Sequence, residues 1–475
     1  MEFFQPVRDR KTAPSLVDQT VAAIEQAIRG QWLRPGMALP SIRDFARVHG
    51  LSAFTVSAAY GRLVAQNWLV SRPGSGFRVA PQVPATAPEG LERSAPRWVP
   101  PQVGPSWLLA DVFADHSIPI KAGCGWLPAE WLNQTALRQA LRQVARTPVS
   151  QIAAYGHPYG YFPLRDYLRE RMAAQGVAVT ADQVLLTSGA TQALDIVVRS
   201  LLRPGDVIAV EDPCYANVLP TLRLAGITVV GVPRTPEGLC CDTLERLAKQ
   251  HAIRALFVTT VLQNPTGASL TMNNAFRVLQ LAERYDFRVI EDDVSRDLLP
   301  HLGPMLVALG GARRVIYVGG FSKSIMPSMR VGYVVADGDF VQQLAKIKMT
   351  MGLTTPELME RTVHHVVRQG GHAAHLRRVQ ERLHQAHDAL YGLLDTHDFQ
   401  VFARPQAGLF VWARPTRGRL AGLGAAELAK RALDHGIWLA PAGYFSPTAD
   451  DAGWIRFNVA YSANPALWQF MRQQA

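Results

Sequence analysis

The segment GGFSKSIMPSMRVGY, residues 319–333, decides how the larger part of this chain is interpreted. Its lysine, Lys323, follows the apolar run VIYVGGF, which is typical of a buried strand. A lysine taken alone is usually a solvated surface charge, so its place at the end of such a strand indicates a specific partner. Pro327 predicts a turn between Lys323 and Arg330. A strand-end amine with a guanidinium nearby suits a ligand that carries both a carbonyl group and a phosphate.

Strand-like apolar runs alternate with helical segments throughout the chain beyond residue 117. Examples are QVLLTSG, which is followed by ATQALDIVVRSLL, and the runs DVIAVEDP, ALFVTTV and FRVIEDD. The alternation predicts a mostly parallel sheet with helices on both faces. Ligands in such α/β folds bind beyond the carboxyl ends of the strands, and Lys323 falls at one of these ends.

Three other strand ends supply groups that pyridoxal phosphate requires. TSGATQALD offers the backbone N–H groups of Ser188–Thr191, at a helix start, to a phosphate. FRVIEDDV offers Asp292 or Asp293 as the anion that keeps a pyridine nitrogen protonated, and Asn264 in QNPTG can donate to the ring 3-oxygen. Each feature alone has an ordinary explanation as a helix start, a helix cap or a turn.

Two more residues extend this set. Tyr215 in EDPCYANV can stack on the ring, and Arg456 in WIRFNVAYS is an apolar-flanked guanidinium suited to a carboxylate. A structural salt bridge is an equal explanation for Arg456 alone. Because coincidence does not explain all of these features together, the sequence predicts pyridoxal phosphate as a cofactor.

The first 80 residues predict three helices and a hairpin. Apolar residues recur at helical spacing from Leu16 to Gly30, Ser41 and Ser52 are predicted to cap the second and third helices, and WLVSRPGSGFRVA predicts two short strands. This is the pattern of a winged helix-turn-helix. The seven prolines between Pro81 and Pro105 then predict a semi-rigid linker.

Composition fits this division. The chain has 475 residues, of which 48% are hydrophobic and 18% charged, as in a soluble globular protein. Its net charge of +11 favours an anionic partner. The four cysteines form no C-x-x-C pair and no histidines stand at metal-ligand spacing, so we expect no metal site and a reducing, cytoplasmic location. No apolar run is long enough to predict a signal peptide or a membrane helix.

Residues 12–80 closely resemble the GntR family of bacterial regulators. The matching features are the PG and LPS of RPGMALPS, Arg43, the Ser-x-x-Thr-Val helix start and the R-P-G-S-G wing with Gly74. The resemblance implies binding to double-stranded operator DNA. The candidate DNA-binding residues are Arg43, Ser52, Thr55, Arg62 and Gly76. One departure matters: where the family usually has an arginine and a polar residue after the serine, this chain has Ala53 and Phe54.

The larger part resembles fold-type I aminotransferases through SGATQAL, DPCY, NPTG, EDD, FSK and IRFNVA. The whole chain is thus similar to the MocR subfamily of GntR regulators. The resemblance implies an α/β fold with a mostly parallel sheet and a smaller C-terminal α+β part. The predicted divisions are a winged helix-turn-helix domain over 12–80, a linker over 81–116 and a cofactor-binding effector domain over 117–475.

The same resemblance implies individual roles. Lys323 would form the Schiff base with pyridoxal phosphate, Asp292 would pair with the pyridine nitrogen, and Asn264 would contact the 3-oxygen. Arg456 would bind the carboxylate of an effector, and Tyr155 in YGHPYG would reach the partner's site in a homodimer with shared sites. The remaining predicted cofactor contacts are Ser188, Gly189, Ala190, Thr191, Tyr215, Ser322 and Arg330.

Two departures favour sensing over turnover. The family usually has a tyrosine where Val294 stands and a serine or threonine where Gly320 stands. We therefore expect a regulator that senses an amine, an amino acid or pyridoxal phosphate itself, with at most a residual aminotransferase half-reaction. An active aminotransferase with a DNA-binding-like appendage is the alternative. A vestigial, empty pocket is disfavoured because Lys323, Asp292 and Arg456 are all present.

Overall fold

The chain folds into two compact units, Met1–Arg97 and Trp98–Ala475. The computed structural model describes residues 6, 14–30, 32–72, 76–80, 118–448 and 453–474. The linker predicted over 81–116 and Gly74 of the predicted wing lie outside these described residues.

The N-terminal unit contains three helices and a two-stranded hairpin. These are α1 (Leu16–Arg29), α2 (Ile42–His49), α3 (Ala53–Ala65), β1 (Leu69–Arg72) and β2 (Gly76–Val79). The three helices begin at serine caps, because the side chains of Ser15, Ser41 and Ser52 each accept a hydrogen bond from the backbone N–H three residues further on. Gly50 ends α2 in the left-handed conformation, with φ of 62°.

The apolar faces of these elements meet in one small core. Among its most buried members are Ile24, Phe45, Val56, Tyr60 and Leu63. The strands pair antiparallel from Leu69 opposite Val79 to Arg72 opposite Gly76. This arrangement confirms the predicted winged helix-turn-helix.

An eight-stranded mixed sheet forms the centre of the large unit. Its strands are β3 (Val184–Thr187), β4 (Val207–Asp212), β5 (Thr228–Thr235), β6 (Gly238–Leu239), β7 (Ile253–Thr259), β8 (Arg288–Asp292), β9 (Val315–Gly320) and β10 (Gly332–Val335). They lie in the order β3-β10-β9-β8-β7-β4-β5-β6, with β10 and β6 antiparallel to their neighbours. The remaining neighbours are parallel, as the alternating pattern predicted.

Helices cover this sheet and extend beyond it. Those of five or more residues are Gln134–Val144, Phe162–Ala173, Ala190–Leu201, Val218–Leu224, Cys241–Gln250, Met272–Arg284, Leu306–Arg314, Gly338–Gly352, Glu357–Arg368, Gly371–Thr396, Gly418–Gly422, Ala425–Asp434 and Pro465–Gln474. The shorter ones are Val149–Ile152 and Val459–Ser462. Two large apolar clusters involve opposite faces of the strands, as in β8, where Val289 belongs to one cluster and Ile290 to the other.

A smaller antiparallel sheet follows near the end of the chain. Its strands are β11 (Phe399–Val401), β12 (Phe410–Pro415), β13 (Ala440–Pro441) and β14 (Ile455–Asn458), in the order β11-β12-β14-β13. With its helices it encloses a separate apolar cluster, which is the predicted α+β part. Among the described residues, no helix is both long and apolar enough to cross a membrane.

Candidate functional site

Lys323 lies in the loop that follows β9, at the carboxyl end of the strand. Its side chain is half-buried, and its Nζ donates a hydrogen bond to the carbonyl of Gly125. Within the described part of the chain it forms no ion pair. Burial, together with the positive charges of Arg456 and Arg330, lowers the pKa of the Lys323 amine to about 8. The amine is therefore held with an unusually large neutral, nucleophilic fraction near neutral pH.

The three consecutive acids at the end of β8 have different partners. Glu291 accepts hydrogen bonds from Thr260 Oγ1 and from the backbone N–H groups of Leu306 and Val307. Asp293 forms an ion pair with Arg296. These two acids are therefore committed to the surrounding structure.

Asp292 is the acid that faces the lysine. It is 5% exposed, and it accepts a long hydrogen bond, at 3.4 Å, from the backbone N–H of Val294. Burial raises the pKa of Asp292 to about 7, and the nearby charge of Lys323 opposes this rise. A buried carboxyl with so few donors is suited to a cationic partner.

A backbone cradle forms where β3 passes into the helix Ala190–Leu201. Gly189 has a φ of 81°, and a Cβ added there would lie 2.5 Å from Arg330 Nη2. Gly332 packs on the same turn, because a Cβ added to it would lie 2.6 Å from the backbone nitrogen of Ala190. Arg330 donates to the carbonyl of Ser188 at 3.2 Å. A guanidinium and helix-start N–H groups thus meet at a surface where no side chain intervenes, which is suited to a phosphate.

Other predicted phosphate contacts surround this cradle. Ser322 is half-buried beside Lys323, and Thr191 is exposed in the first turn of its helix. The backbone N–H of Ser188 already donates to Gln192 Oε1 at 2.7 Å. A Cβ at Gly320 would meet only ordinary contacts, the nearest being the carbonyl of Val331 at 3.6 Å. The missing hydroxyl at Gly320 is therefore not explained by lack of space.

Arg456, from β14, is buried beside Asn264 of the loop after β7. It donates from Nη1 to Asn264 Oδ1 at 2.7 Å and from Nη2 to the carbonyl of Gly123 at 2.5 Å. Its guanidinium carbon lies 4.6 Å from the ring centroid of Phe410 and 4.9 Å from that of Phe445. Its Nε is buried and, among the described residues, without a hydrogen-bond partner.

These contacts show that Arg456 is not part of a structural salt bridge with any described residue. A guanidinium at 7% exposure whose partners are an amide and a carbonyl retains an uncompensated charge. Burial lowers the pKa of Arg456 to about 10, which is still far above neutrality. The pocket therefore contains a buried cation suited to a ligand carboxylate.

Tyr215 follows β4, and its hydroxyl accepts a hydrogen bond from Asn217 Nδ2 at 2.9 Å. Burial raises the pKa of Tyr215, and the negative charge of Asp292 contributes in the same direction. Tyr215 and Asp292 are therefore near one another. Val294, which stands where a tyrosine is usual, offers this site only its backbone N–H.

Sequence reasoning missed the segment Gly123–Trp126. Carbonyl groups of Gly123 and Gly125 accept from Arg456 and Lys323, and Asn458 Nδ2 holds the segment by donating to the carbonyls of Cys124 and Trp126. A Cβ at Gly123 would lie 2.6 Å from the backbone of Ala440. The only available signal was the pair of glycines in KAGCGW.

Tyr155 lies on the surface of the large unit, with 81% of its area exposed. The chain around it packs on the segment 348–361, since Lys348 Nζ donates to the carbonyl of Pro158 and the N–H of Tyr161 donates to Glu360. Four further large apolar side chains of these two segments are exposed: Phe162, Met351, Leu353 and Leu358.

Of the DNA-binding candidates, Arg43 lies on α2, Thr55 and Arg62 lie on α3, Ser52 caps α3, and Gly76 lies on β2. Arg43 is exposed and has no ion-pair partner among the described residues. Ser52 Oγ accepts from the N–H of Thr55 and lies 2.8 Å from Thr55 Oγ1. Arg62 is paired with Asp18 of α1 at 2.6 Å, a contact that the sequence did not predict. Gly76 begins β2 with a φ of 78°.

The donor set of the large unit fits pyridoxal phosphate. The fit rests on the amine of Lys323, whose pKa is lowered, on the sparsely bonded acid Asp292, and on the cradle that side chains at Gly189 or Gly332 would fill. The unpaired Nε of Arg456 offers a further place for a carboxylate.

Comparison with known proteins agrees with this structure. Residues 131–467 match the family "Aminotransferase class I and II", and residues 16–79 match "Bacterial regulatory proteins, gntR family". The chain is 30% identical to the uncharacterized HTH-type transcriptional regulator YdcR of Escherichia coli, over 94% of this chain and 96% of that protein. It is 28% identical to the probable rhizopine catabolism regulatory protein MocR of Rhizobium meliloti, over 86% of this chain and 84% of that one.

A solved structure is similar to the large unit alone. It is LysN, an alpha-aminoadipate aminotransferase of Thermus thermophilus complexed with N-(5'-phosphopyridoxyl)-L-leucine. The TM-score is 0.69 at 27% identity, over 76% of this chain and 94% of LysN. The relatives of full length are thus regulators, whereas the enzyme aligns with most of the large unit only. The chain therefore belongs to the MocR subfamily of GntR-family transcription regulators, in which a winged helix-turn-helix unit precedes a unit with the fold of class I and II aminotransferases.

Proposed function

We propose that this regulator binds operator DNA through its N-terminal unit and senses a small amine or amino acid, or pyridoxal phosphate itself, through its large unit. The observation that carries the proposal is the pocket in which the half-buried Lys323 and the buried Arg456 each donate to a backbone carbonyl and, among the described residues, have no acidic partner at ion-pair distance. Such a pocket suits a ligand that offers a carbonyl or an amine at one end and a carboxylate at the other.

Most predicted cofactor residues have a role that their environment supports. Lys323 would hold pyridoxal phosphate as a Schiff base, and the bound cofactor would supply an electrophilic carbon that an incoming amine can attack. Asp292 would accept from the pyridine nitrogen, while Asn264, whose Oδ1 is taken by Arg456, keeps its Nδ2 for the 3-oxygen. Tyr215 would stack on the ring. The phosphate would be held by Ser188, Gly189, Ala190, Thr191, Ser322 and Arg330.

Arg456 gives the site a means of responding to an effector. Arg456 projects from the small sheet, whereas Lys323 lies in a loop at the end of a strand of the large sheet. The hydrogen bond from Arg456 to Asn264 connects the small sheet to a loop of the large one. A carboxylate bound at the free Nε would add an attraction that exists only when the effector is present. For this to alter DNA binding, the effector must bind one arrangement of the molecule more tightly than another.

A homodimer with shared sites accounts for the exposed surface around Tyr155. A folded monomer seldom leaves a tyrosine at 81% exposure beside a phenylalanine at 57% and a leucine at 47% without a partner for the patch. In the proposed dimer, Tyr155 of the partner subunit would contribute to the phosphate site. A two-fold dimer also suits a paired operator. We place this regulator in the cytoplasm, where its DNA is.

An active aminotransferase is the second candidate. It is favoured by one observation, that Lys323, Asn264 and Arg456 retain an arrangement able to bind an amino acid. Against it, Val294 and Gly320 remove two hydroxyl groups that would tune the cofactor.

The test measures binding of the purified full-length protein to the DNA upstream of its own gene. Pyridoxal phosphate and a panel of amines and amino acids are added in turn, and amino-acid turnover with a 2-oxo acid is followed in parallel. We expect the protein to bind this DNA specifically. We also expect its affinity for the DNA to change when pyridoxal phosphate is added, or when one of the amines or amino acids is added to the protein with pyridoxal phosphate bound. Rapid multiple turnover together with no specific DNA binding would overturn the proposal in favour of the enzyme.

A further inference from the structure

The outward face of α3 is unusual for a helix that reads DNA. Its exposed residues before Arg62 are Ala53, Phe54, Ser57, Ala58 and Gly61. None of them carries a guanidinium, an ammonium or a carboxamide. Arg62, which completes this face, is paired with Asp18 at 2.6 Å. The face therefore has almost no side chain able to form the bidentate hydrogen bonds by which proteins usually distinguish guanine or adenine.

Phe54 is the one large apolar side chain among the described residues of this face. It is 82% exposed, while the other aromatic residues of the same helical region, Phe45 and Tyr60, are 1% and 0% exposed. Within the described part of the chain Phe54 belongs to no aromatic pair and to no apolar cluster. Nothing in the N-terminal unit's own core explains its presence.

The surroundings of Phe54 identify the partner as DNA. Phe54 is the second residue of α3, and the first residues of a recognition helix are those that meet base edges in the major groove. Arg43 of α2 is exposed and offers positive charge to a phosphate, while Arg47 is exposed but lies 3.6 Å from Asp44. An apolar side chain flanked by such charges has one well-defined target in the major groove, which is the C5-methyl group of thymine.

We infer that Phe54 reads thymine, by covering its C5-methyl group in each half-site of the operator, and that this contact replaces the hydrogen bonds that α3 lacks. The inference rests on the proposed function, since it requires specific DNA binding. It assigns to this regulator an operator with an A·T pair at the base step that Phe54 meets in each half-site.

The experiment separates the methyl group from every other property of the base. Full-length protein with pyridoxal phosphate is used to enrich its preferred sequence from a library of random duplexes. Each thymine of the enriched sequence is then replaced by deoxyuridine, which removes only the methyl group, and the dissociation constants are compared. For the unmodified protein we expect an affinity about fourfold weaker at one thymine position of each half-site, as for the loss of one buried methyl group.

Variants show which residue senses the methyl group. Phe54→Ala should bind the thymine duplex more weakly and should no longer distinguish it from the deoxyuridine duplex. Phe54→Leu should keep part of the distinction. Trp32→Ala is the matched control, because Trp32 is also exposed, at 78%, but lies outside α3. It should keep the full distinction.

The outcomes separate the inference from the function on which it rests. An enriched sequence whose thymine methyl groups have no effect, or whose effect is the same in Phe54→Ala, would overturn the inference alone. Failure to enrich any sequence would overturn specific DNA binding, and the inference with it. Circular dichroism of Phe54→Ala checks folding, which removal of so exposed a ring should leave unchanged.

Discussion

In the N-terminal unit the core is apolar and the candidate DNA-binding arginines are exposed, whereas in the large unit two charged side chains of the site, Asp292 and Arg456, are themselves buried. Tyr60 is fully buried while Arg43 is exposed; Asp292 and Arg456 are 5% and 7% exposed. Exposed charges act through a solvent that screens them, so their contributions are small and depend on salt. Buried charges are desolvated, so their pKa values shift and each lost partner has a large effect. The effects of substitutions should therefore be smaller and depend on salt in the N-terminal unit, and be larger and depend on pH in the large unit.

The largest effect is expected for Lys323→Ala. This variant should lose all covalent attachment of pyridoxal phosphate, because Lys323 is the lysine whose amine lies near Asp292 and Arg456. Borohydride reduction followed by intact-mass measurement and peptide mapping checks this.

Two other lysines serve as controls for the Lys323 experiment. Lys346→Ala, at an exposed position, should leave the adduct unchanged. Lys348 is the more demanding comparison, since burial also lowers its pKa to about 8, but its Nζ is held by the carbonyls of Pro158 and Leu186 and by Thr355 Oγ1. An adduct mapped to Lys348 would contradict the assignment of the pocket.

The next effect concerns the cradle at Gly189. Gly189→Ala should weaken pyridoxal phosphate binding about tenfold or more, because the new Cβ would displace Arg330 from a charge-assisted contact. Equilibrium titration of the cofactor-free protein measures this change.

Gly311→Ala is a close control for the backbone. Gly311 has φ 72° and ψ 158°, and Gly189 has φ 81° and ψ 166°, but a Cβ at Gly311 meets no atom within 4 Å. Both variants should lose about 1–3 kcal/mol of stability from the strained backbone. If both lose cofactor affinity equally, backbone strain and not Arg330 is the cause.

A smaller effect is expected from pH. Since the pKa of Asp292 rises from 3.8 to about 7 on folding of the cofactor-free protein, the folded state keeps a proton that the unfolded state releases. The contribution of Asp292 to stability is therefore fully present below pH 3.8 and is lost as the pH rises to about 7, by at most about 1.4 kcal/mol per pH unit. Denaturant unfolding at a series of pH values measures the slope.

Asp292→Asn should make this slope shallower, because the amide does not ionise. Asp434→Asn, at an exposed helix end, should leave the slope as it is. The slope will not vanish, because burial also raises the pKa of Glu291 to about 7 and of Asp293 to about 6. An unchanged slope in Asp292→Asn would show that Asp292 titrates normally.

The smallest effects belong to the exposed arginines. Arg43→Ala should weaken binding to all DNA sequences alike and lower the slope of log affinity against log salt by about one, as for the loss of one phosphate contact. Arg62→Ala should lower it less, since Arg62 is already paired with Asp18. Titrations of the enriched duplex at several salt concentrations compare the two variants. Equal decreases in the salt slope would mean that the Arg62–Asp18 pair opens on DNA.

The sequence predicted those features that depend on nearby residues. The serine caps of α2 and α3, the strand end before Lys323 and the turn at Pro327 are local patterns, and the fold class and family that they indicated are confirmed. The choice between Asp292 and Asp293 could not be made from FRVIEDDV, because it depends on which acid Arg296 reaches in three dimensions.

Long-range contacts and backbone contacts could not be predicted from the sequence for a similar reason. Arg62 was predicted to contact DNA, but its partner Asp18 lies 44 residues earlier. The carbonyls of Gly123 and Gly125 bind Arg456 and Lys323 through atoms that every residue has, so no residue type marks them. The roles of the individual cofactor and DNA contacts stay predictions.

The pair between Asp18 and Arg62 also has a consequence for how the regulator searches a chromosome. Both side chains are about half exposed, so the pair contributes little to stability and can open readily. If it stays closed on DNA, Arg62 has no free charge for a phosphate; if it opens, one phosphate replaces one carboxylate, and Asp18 is left as an anion near an anionic backbone. In both cases every complex is weaker than it would be with an unpaired arginine at this position, and by the same factor whatever the DNA sequence. Occupancy of random sites falls, the preference for the operator over them is unchanged, and more of the protein is free to find it.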